Sequence, residues 1–178
     1  NEETGSESKQ GADSTFLHDI MLRICGSLGI SHEEYMRMIP ASFMLSADNG
    51  HARHPNHPEL SDCNNSPFMN EGVVIKYNAN QRYTTDAVSA ALFGQICECA
   101  SVPTQVFANR SDLAGGSTLG NISSTHVSIN TVDIGLAQLA MHSSYETAGT
   151  ADIDHMIRAV CSFFGTRITC RGDGIYEI

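Results

Sequence analysis

Short apolar runs of strand length alternate with longer stretches whose apolar residues return every three to four positions, and this alternation leaves few folds open. Ala41–Ser46, Val73–Tyr77 and Thr104–Ala108 have the length and β-branched or aromatic content of strands. Val88, Leu92 and Ile96 follow the helical period behind Thr85, as do Ile153, Ile157, Val160 and Phe164 behind Thr150, with each threonine expected to cap its helix. Asp152 and Asp154 in the first turn of the last helix suit its dipole. Two helices are expected before the first strand. One is capped by Ser14 and turns Leu17, Met21, Ile24 and Leu28 toward the core; the other is opened by a Ser31/Glu34 capping box and stopped by Pro40. Short strands are also expected at Val127–Ile129 and Val132–Ile134, and the class that accommodates this order is α/β.

The polar residues concentrate where the expected strands end. Ser46-Ala-Asp-Asn-Gly-His-Ala-Arg-His-Pro55 sets Asp48 just past the first strand, at the sheet edge where ligands collect in open α/β folds. A carboxylate and imidazoles beside Gly50, which allows close backbone approach, are the donors a zinc site uses. The same residues equally suit a polar turn with His51, His54 and His57 solvated, and Pro55 and Pro58 exclude a helical metal face. Lys76 lies inside a strand, where it either offers a cation to a ligand or snorkels from a sheet edge. His142 ends another apolar run, a place where a lone histidine is usually structural. Residues 54–72, rich in Pro, Asn and Ser, read as a long surface loop of the kind that carries function. Gly115–Gly120 has no lysine for a phosphate loop and no glycine two places after Ser117 for a nucleophile elbow, which leaves a tight turn. The chain begins on Asn1 without Met and runs at once into Glu2 and Glu3, as expected of a piece of a longer protein. Adjacent carboxylates point apart in an extended segment and can divide into a base and a metal ligand. Glu2, Glu3, Asp48 and His142 together suit a metal-assisted hydrolase.

Composition excludes other classes. Ten Lys+Arg against 20 Asp+Glu give a net charge of −10, which repels nucleic acid and anionic lipid. No stretch approaches the roughly 18 apolar residues of a membrane span, and with no charged-then-apolar run at Asn1 no secretory signal is expected in these residues. The six scattered cysteines are read as reduced thiols in a domain large enough to hold its own core, and the expected location is cytoplasmic.

The segments NEETGSESKQGADSTFL, SADNGHARHPNHPE, GVVIKYNANQRYTTDAVSAA, NRSDLAGGSTLGNISSTH and VDIGLAQLAMHSSYE, taken in order, resemble successive motifs of the aspartyl aminopeptidase and aminopeptidase I family of dizinc exopeptidases. The resemblance covers residues 1–164 as the C-terminal part of the catalytic domain and leaves 165–178 as an unassigned tail. It implies an incomplete α/β fold of the zinc-exopeptidase (phosphorylase/hydrolase-like) type, with a mixed central sheet flanked by helices. It also implies two zinc ions, peptide substrates that lose N-terminal residues, and a large homo-oligomer. By the same resemblance Glu2 is the general base, Glu3, Asp48 and His142 are metal ligands, and His51, Lys76, Tyr83 and Asp48 bind substrate. The family's remaining histidine ligand, its bridging aspartate and its oligomerisation insert all lie upstream of the Glu-Glu pair. The alternative is an inactive structural fragment that binds metal weakly at most.

Overall fold

The computed structural model describes residues 5–172 and 174–178, so the expected base Glu2 and ligand Glu3 lie outside the described residues. Two helices come first, α1 (Phe16–Ser27) and α2 (His32–Met38), and the second starts on the Ser31/Glu34 capping box with both reciprocal bonds formed. Pro40 sits in a single turn of 3-10 helix, after which β1 (Phe43–Ala47) begins. The chain continues through β2 (Gly50–His51), the long loop, β3 (Val73–Tyr77), α3 (Ala87–Cys99) and β4 (Thr104–Ala108). The second half holds α4 (Leu119–Ser123), β5 (Asn130–Gly135), β6 (Ala137–Leu139), β7 (Thr147–Ala148), α5 (Thr150–Gly165), β8 (Thr169–Gly172) and β9 (Ile175–Glu177). No helix among the described residues is long and apolar enough to cross a membrane.

The central sheet has the order β1-β5-β3-β4, with β1 parallel to β5, β3 parallel to β4, and β3 antiparallel to β5. It is therefore mixed, and the period-2 alternation of its strands divides the residues between two faces. Val73, Ile75, Val132 and Ile134 pack with Ala90, Phe93 and Cys97 of α3 and Ala159 of α5 into the main core. Val74 points to the other face, where it joins Ala52, Tyr83, Phe107 and Ala137. Lys76, two residues on, shares that second face. A smaller parallel and antiparallel sheet, β2-β6-β7, prolongs the β1/β5 pair, and the β8-β9 hairpin brings Tyr176 edge-on to Phe43, with ring centroids 6.2 Å apart.

Several expectations fail in instructive ways. The stripes assigned to the core on α1 and α5 are only partly used. Leu17 and Met21 pack beside Tyr35 and Val127, but Ile24, Leu28, Ile153, Ile157 and Phe164 are exposed, and Val88 on α3 is exposed as well. Helical periodicity reveals an apolar face without revealing what covers it. Three caps are displaced by one residue. Thr15 precedes α1 instead of Ser14, Asp86 caps α3 through a box with Ser89 instead of Thr85, and Gly149 precedes α5 instead of Thr150. Thr85 is drawn away because its hydroxyl accepts the backbone N–H of Asp133 at 2.9 Å. β1 starts at Phe43 because the Pro40 turn takes up Ala41, and its place at the sheet edge leaves most of it half-buried; Val127–Ile129 forms no strand.

Asp152, expected to serve the helix dipole, is fully buried. Its carboxylate accepts backbone N–H bonds from Asn70 (2.6 Å) and Gly72 (2.9 Å), tying the end of the long loop to α5.

Candidate active site

The Ser46–Pro55 stretch is strapped down along its length. After β1, the N–H of Asp48 donates to Ile134 O (2.9 Å), that of Gly50 to Leu136 O (2.9 Å) and that of Ala52 to Gln138 O (2.8 Å). Each bond runs to the β5/β6 segment, so Asp48 and His51 sit on a continuous ladder. The Asn49 side chain adds a clamp, donating to Gln138 Oε1 at 2.8 Å and accepting from Leu136 N at 3.1 Å. A freely solvated turn does not describe this geometry, although His51 itself is exposed.

A cleft of about 560 Å³ opens over the sheet face opposite α3 and α5, and Asp48, His51, Lys76, Tyr83 and His142 all line it. Lys76 is 2% exposed on β3, an inner strand, which rules out the edge-snorkelling reading. Its Nζ donates to Asn49 O (3.3 Å), stands 3.9 Å from Asp48 Oδ2 and lies 5.2 Å from the centre of the Tyr83 ring. Burial pulls the lysine below its ordinary pKa, while the negative charges of Asp48 and Asp133 act in the opposite direction. Tyr83 is pushed up by burial, and its hydroxyl accepts from Asn109 Nδ2 at 3.2 Å. His142 stands in a left-handed turn, φ +66°, beyond β6, and its N–H donates to Glu146 Oε1 at 2.7 Å. Among the described residues no three His, Cys, Asp or Glu side chains converge as a metal cage. Asp48 and His142 do bring a carboxylate oxygen and an imidazole nitrogen, both zinc-type donors, to one cleft.

Sequence reasoning passed over the residues that hold this arrangement. A Cβ on Gly135 would lie 2.0 Å from Asp48 O, so the backbone of the Asp48 turn can close on β5 only over a glycine. Gly50, expected to permit close approach, is less constrained: a Cβ there would meet Lys76 Cδ at an ordinary 3.5 Å. Gly135→Ala is therefore expected to cost about 1–3 kcal/mol by overpacking, or roughly 2–4 °C of melting temperature per kcal/mol in a domain of this size. Gly50→Ala should be nearly neutral. Thermal melts of the two variants side by side check this, and equal melting temperatures would mean the Asp48 turn yields easily. Gly120 has the same tight character, with its N–H donating to Ser46 Oγ (2.9 Å) and a Cβ there only 2.6 Å from Ser46 Cβ. Asp133 was also missed, although an acid inside the apolar run Val132-Asp-Ile134 signals a buried charge that needs partners.

A family described as aminopeptidase I zinc metalloprotease (M18) matches residues 1–164. A Clostridium acetobutylicum protein described as "Probable M18 family aminopeptidase 2" is 52% identical over 156 residues, covering 88% of this chain and 36% of that protein. A chain in the cryo-EM structure of the Ape4 and Nbr1 complex shares 42% identity at a TM-score of 0.87, over 92% of this chain and 31% of that one. The S. cerevisiae mApe1 dodecamer gives 29% identity and a TM-score of 0.79, over 93% and 36%. The chain thus spans somewhat more than a third of the length of the curated relatives it matches. A mixed sheet flanked by helices is the architecture these solved structures share with it. By sequence and by fold, the chain belongs to the aminopeptidase I zinc metalloprotease (M18) family.

Proposed function

We propose that this chain forms the C-terminal part of a two-zinc aminopeptidase that removes N-terminal residues from peptides. The observation that carries the proposal is the convergence of Asp48, His51, Lys76, Tyr83 and His142, from separate segments of the sequence, on one cleft. Asp48 would hold one zinc ion, and Glu3 and His142 the other. Zinc supplies Lewis acidity, which polarises a peptide carbonyl and lowers the pKa of water to about 7.

The chain's own residues supply the rest. Glu2 takes the proton from the attacking water and later gives one to the leaving amine. Lys76 presents a buried ammonium, whose single protein hydrogen bond among the described residues goes to Asn49 O and leaves donors for a substrate oxygen. Tyr83 lies against that ammonium and limits where it can point. His51, exposed on the cleft wall, offers a further polar contact. The mApe1 dodecamer supports a homo-oligomer as the working state, and six scattered cysteines, read as reduced thiols, support a cytoplasmic location.

The test is metal stoichiometry and turnover, on the 178-residue chain alone and joined to the upstream two-thirds of such an enzyme. Glu3, Asp48 and His142 are three ligands for two ions, whereas zinc sites normally have at least three protein ligands each. The chain alone should therefore bind zinc weakly, below one ion per chain, and hydrolyse amino-acid amides negligibly. The joined protein should bind two ions and turn over. Failure of the joined protein to do either would favour the inactive-fragment alternative.

A further inference from the structure

The cleft rests on a carboxylate that none of the assignments above uses. Asp133, on β5, is fully buried, and its Oδ1 has no hydrogen-bond partner among the described residues. Its Oδ2 accepts both the backbone N–H of Thr84 (2.5 Å) and the Thr84 hydroxyl (2.7 Å). Its own N–H donates to Thr85 Oγ at 2.9 Å. A buried carboxylate is costly unless its bonds compensate, and here every bond goes to one short segment, Thr84–Thr85, immediately after Tyr83.

We propose that Asp133 is a positioning residue for the aminopeptidase reaction, holding Thr84 and Thr85 so that Tyr83 stays over Lys76 in the cleft. The proposal rests on the reading that Lys76 and Tyr83 touch substrate. Two features separate it from simple packing. The start of α3 is closed independently by the Asp86/Ser89 capping box, so the helix does not need Asp133. The ring of Tyr83 packs against Phe107 and its hydroxyl accepts from Asn109 after β4, but among the described residues the polar restraint on the main chain just beyond it comes from the Asp133–Thr84 bonds. The charge of Asp133 also favours the charged form of Lys76 against the effect of burial.

The test uses the enzyme that carries this chain together with its upstream residues. Thr84→Val keeps the side-chain shape and the backbone donor but removes the hydroxyl, Thr84→Ser restores it, and Asp133→Asn keeps an acceptor oxygen without the charge. Thr84→Val should raise KM about 2- to 10-fold, the worth of one net hydrogen bond, with kcat within about twofold and zinc content unchanged. Thr84→Ser should return KM to the parent value. Asp133→Asn should raise KM at least as much, and the double variant should fall short of the product of the two effects, because both act through one contact. An unchanged KM in Thr84→Val and Asp133→Asn, with only the melting temperature lowered, overturns the proposal. Should Asp133→Asn not fold, the Thr84 pair carries the test. If the unmodified enzyme has no aminopeptidase turnover, the functional reading fails on its own. The restraint is then decided by amide hydrogen exchange: faster exchange at Thr84 in Asp133→Asn supports it, and unchanged exchange overturns it.

Discussion

Glu2→Gln, made in an enzyme containing this chain, should lower kcat by roughly 10²–10⁴-fold while leaving zinc bound, whereas Glu3→Ala should lose zinc occupancy first. The two side chains are chemically identical neighbours, so their variants are separated by the role of each glutamate together with what its replacement keeps. Glutamine keeps the size and one acceptor oxygen of Glu2 but cannot take a proton from water, so the chemical step slows while binding is spared. If Glu3 holds zinc as proposed, alanine at position 3 removes a ligand and leaves its ion short of the usual protein donors. Metal analysis beside steady-state kinetics gives the answer. Equal zinc loss in both variants would mean that both glutamates hold metal and that the base lies elsewhere.

What could be read from the sequence, and what could not, follows from the range over which each signal acts. Ser31 and Glu34 bond within one helical turn, so that cap was legible, and so was the β-branched run of β3. The class followed from the order of such local signals. The fate of apolar stripes did not, because Ile153 and Ile157 satisfy helical periodicity equally well on a covered or an exposed face. Thr85 shows the same limit at shorter range. As a local cap candidate it was reasonable, but Asp133, 48 positions away, takes its hydroxyl and leaves the cap to Asp86. At the cleft, the residues that bear donors or charge stood out as types at strand ends. Those that set their geometry did not, because Gly135, Asn49 and Thr84 matter only through partners that the fold brings to them.

Lys76→Met should lower kcat/KM by about one to two orders of magnitude, the loss expected when a hydrogen bond from a charged donor, about 1.5–3 kcal/mol, is removed from a bound substrate. The structure makes the effect on stability a real competitor. Methionine fills much of the same volume and spares the burial of an ammonium that is 2% exposed. It also leaves the buried Asp133 and the partly buried Asp48 carboxylates without their nearby cation, a change that destabilises. The two tendencies oppose, so a modest shift in melting temperature is expected at neutral pH. At higher pH the variants should diverge in a defined direction. Burial, the largest influence on Lys76, sets its folded value below that of an unfolded lysine. Between those two values the folded chain carries fewer protons at Lys76 than the unfolded one, so the contribution of Lys76 to stability rises with pH across that window, and the methionine variant lacks that contribution. Melting curves through the alkaline range, with turnover measured on the folded protein, separate the roles. A large activity loss at nearly unchanged melting temperature places the ammonium on substrate. A collapsed melting temperature with full turnover in the folded fraction would make Lys76 a structural counter-charge for Asp48 and Asp133.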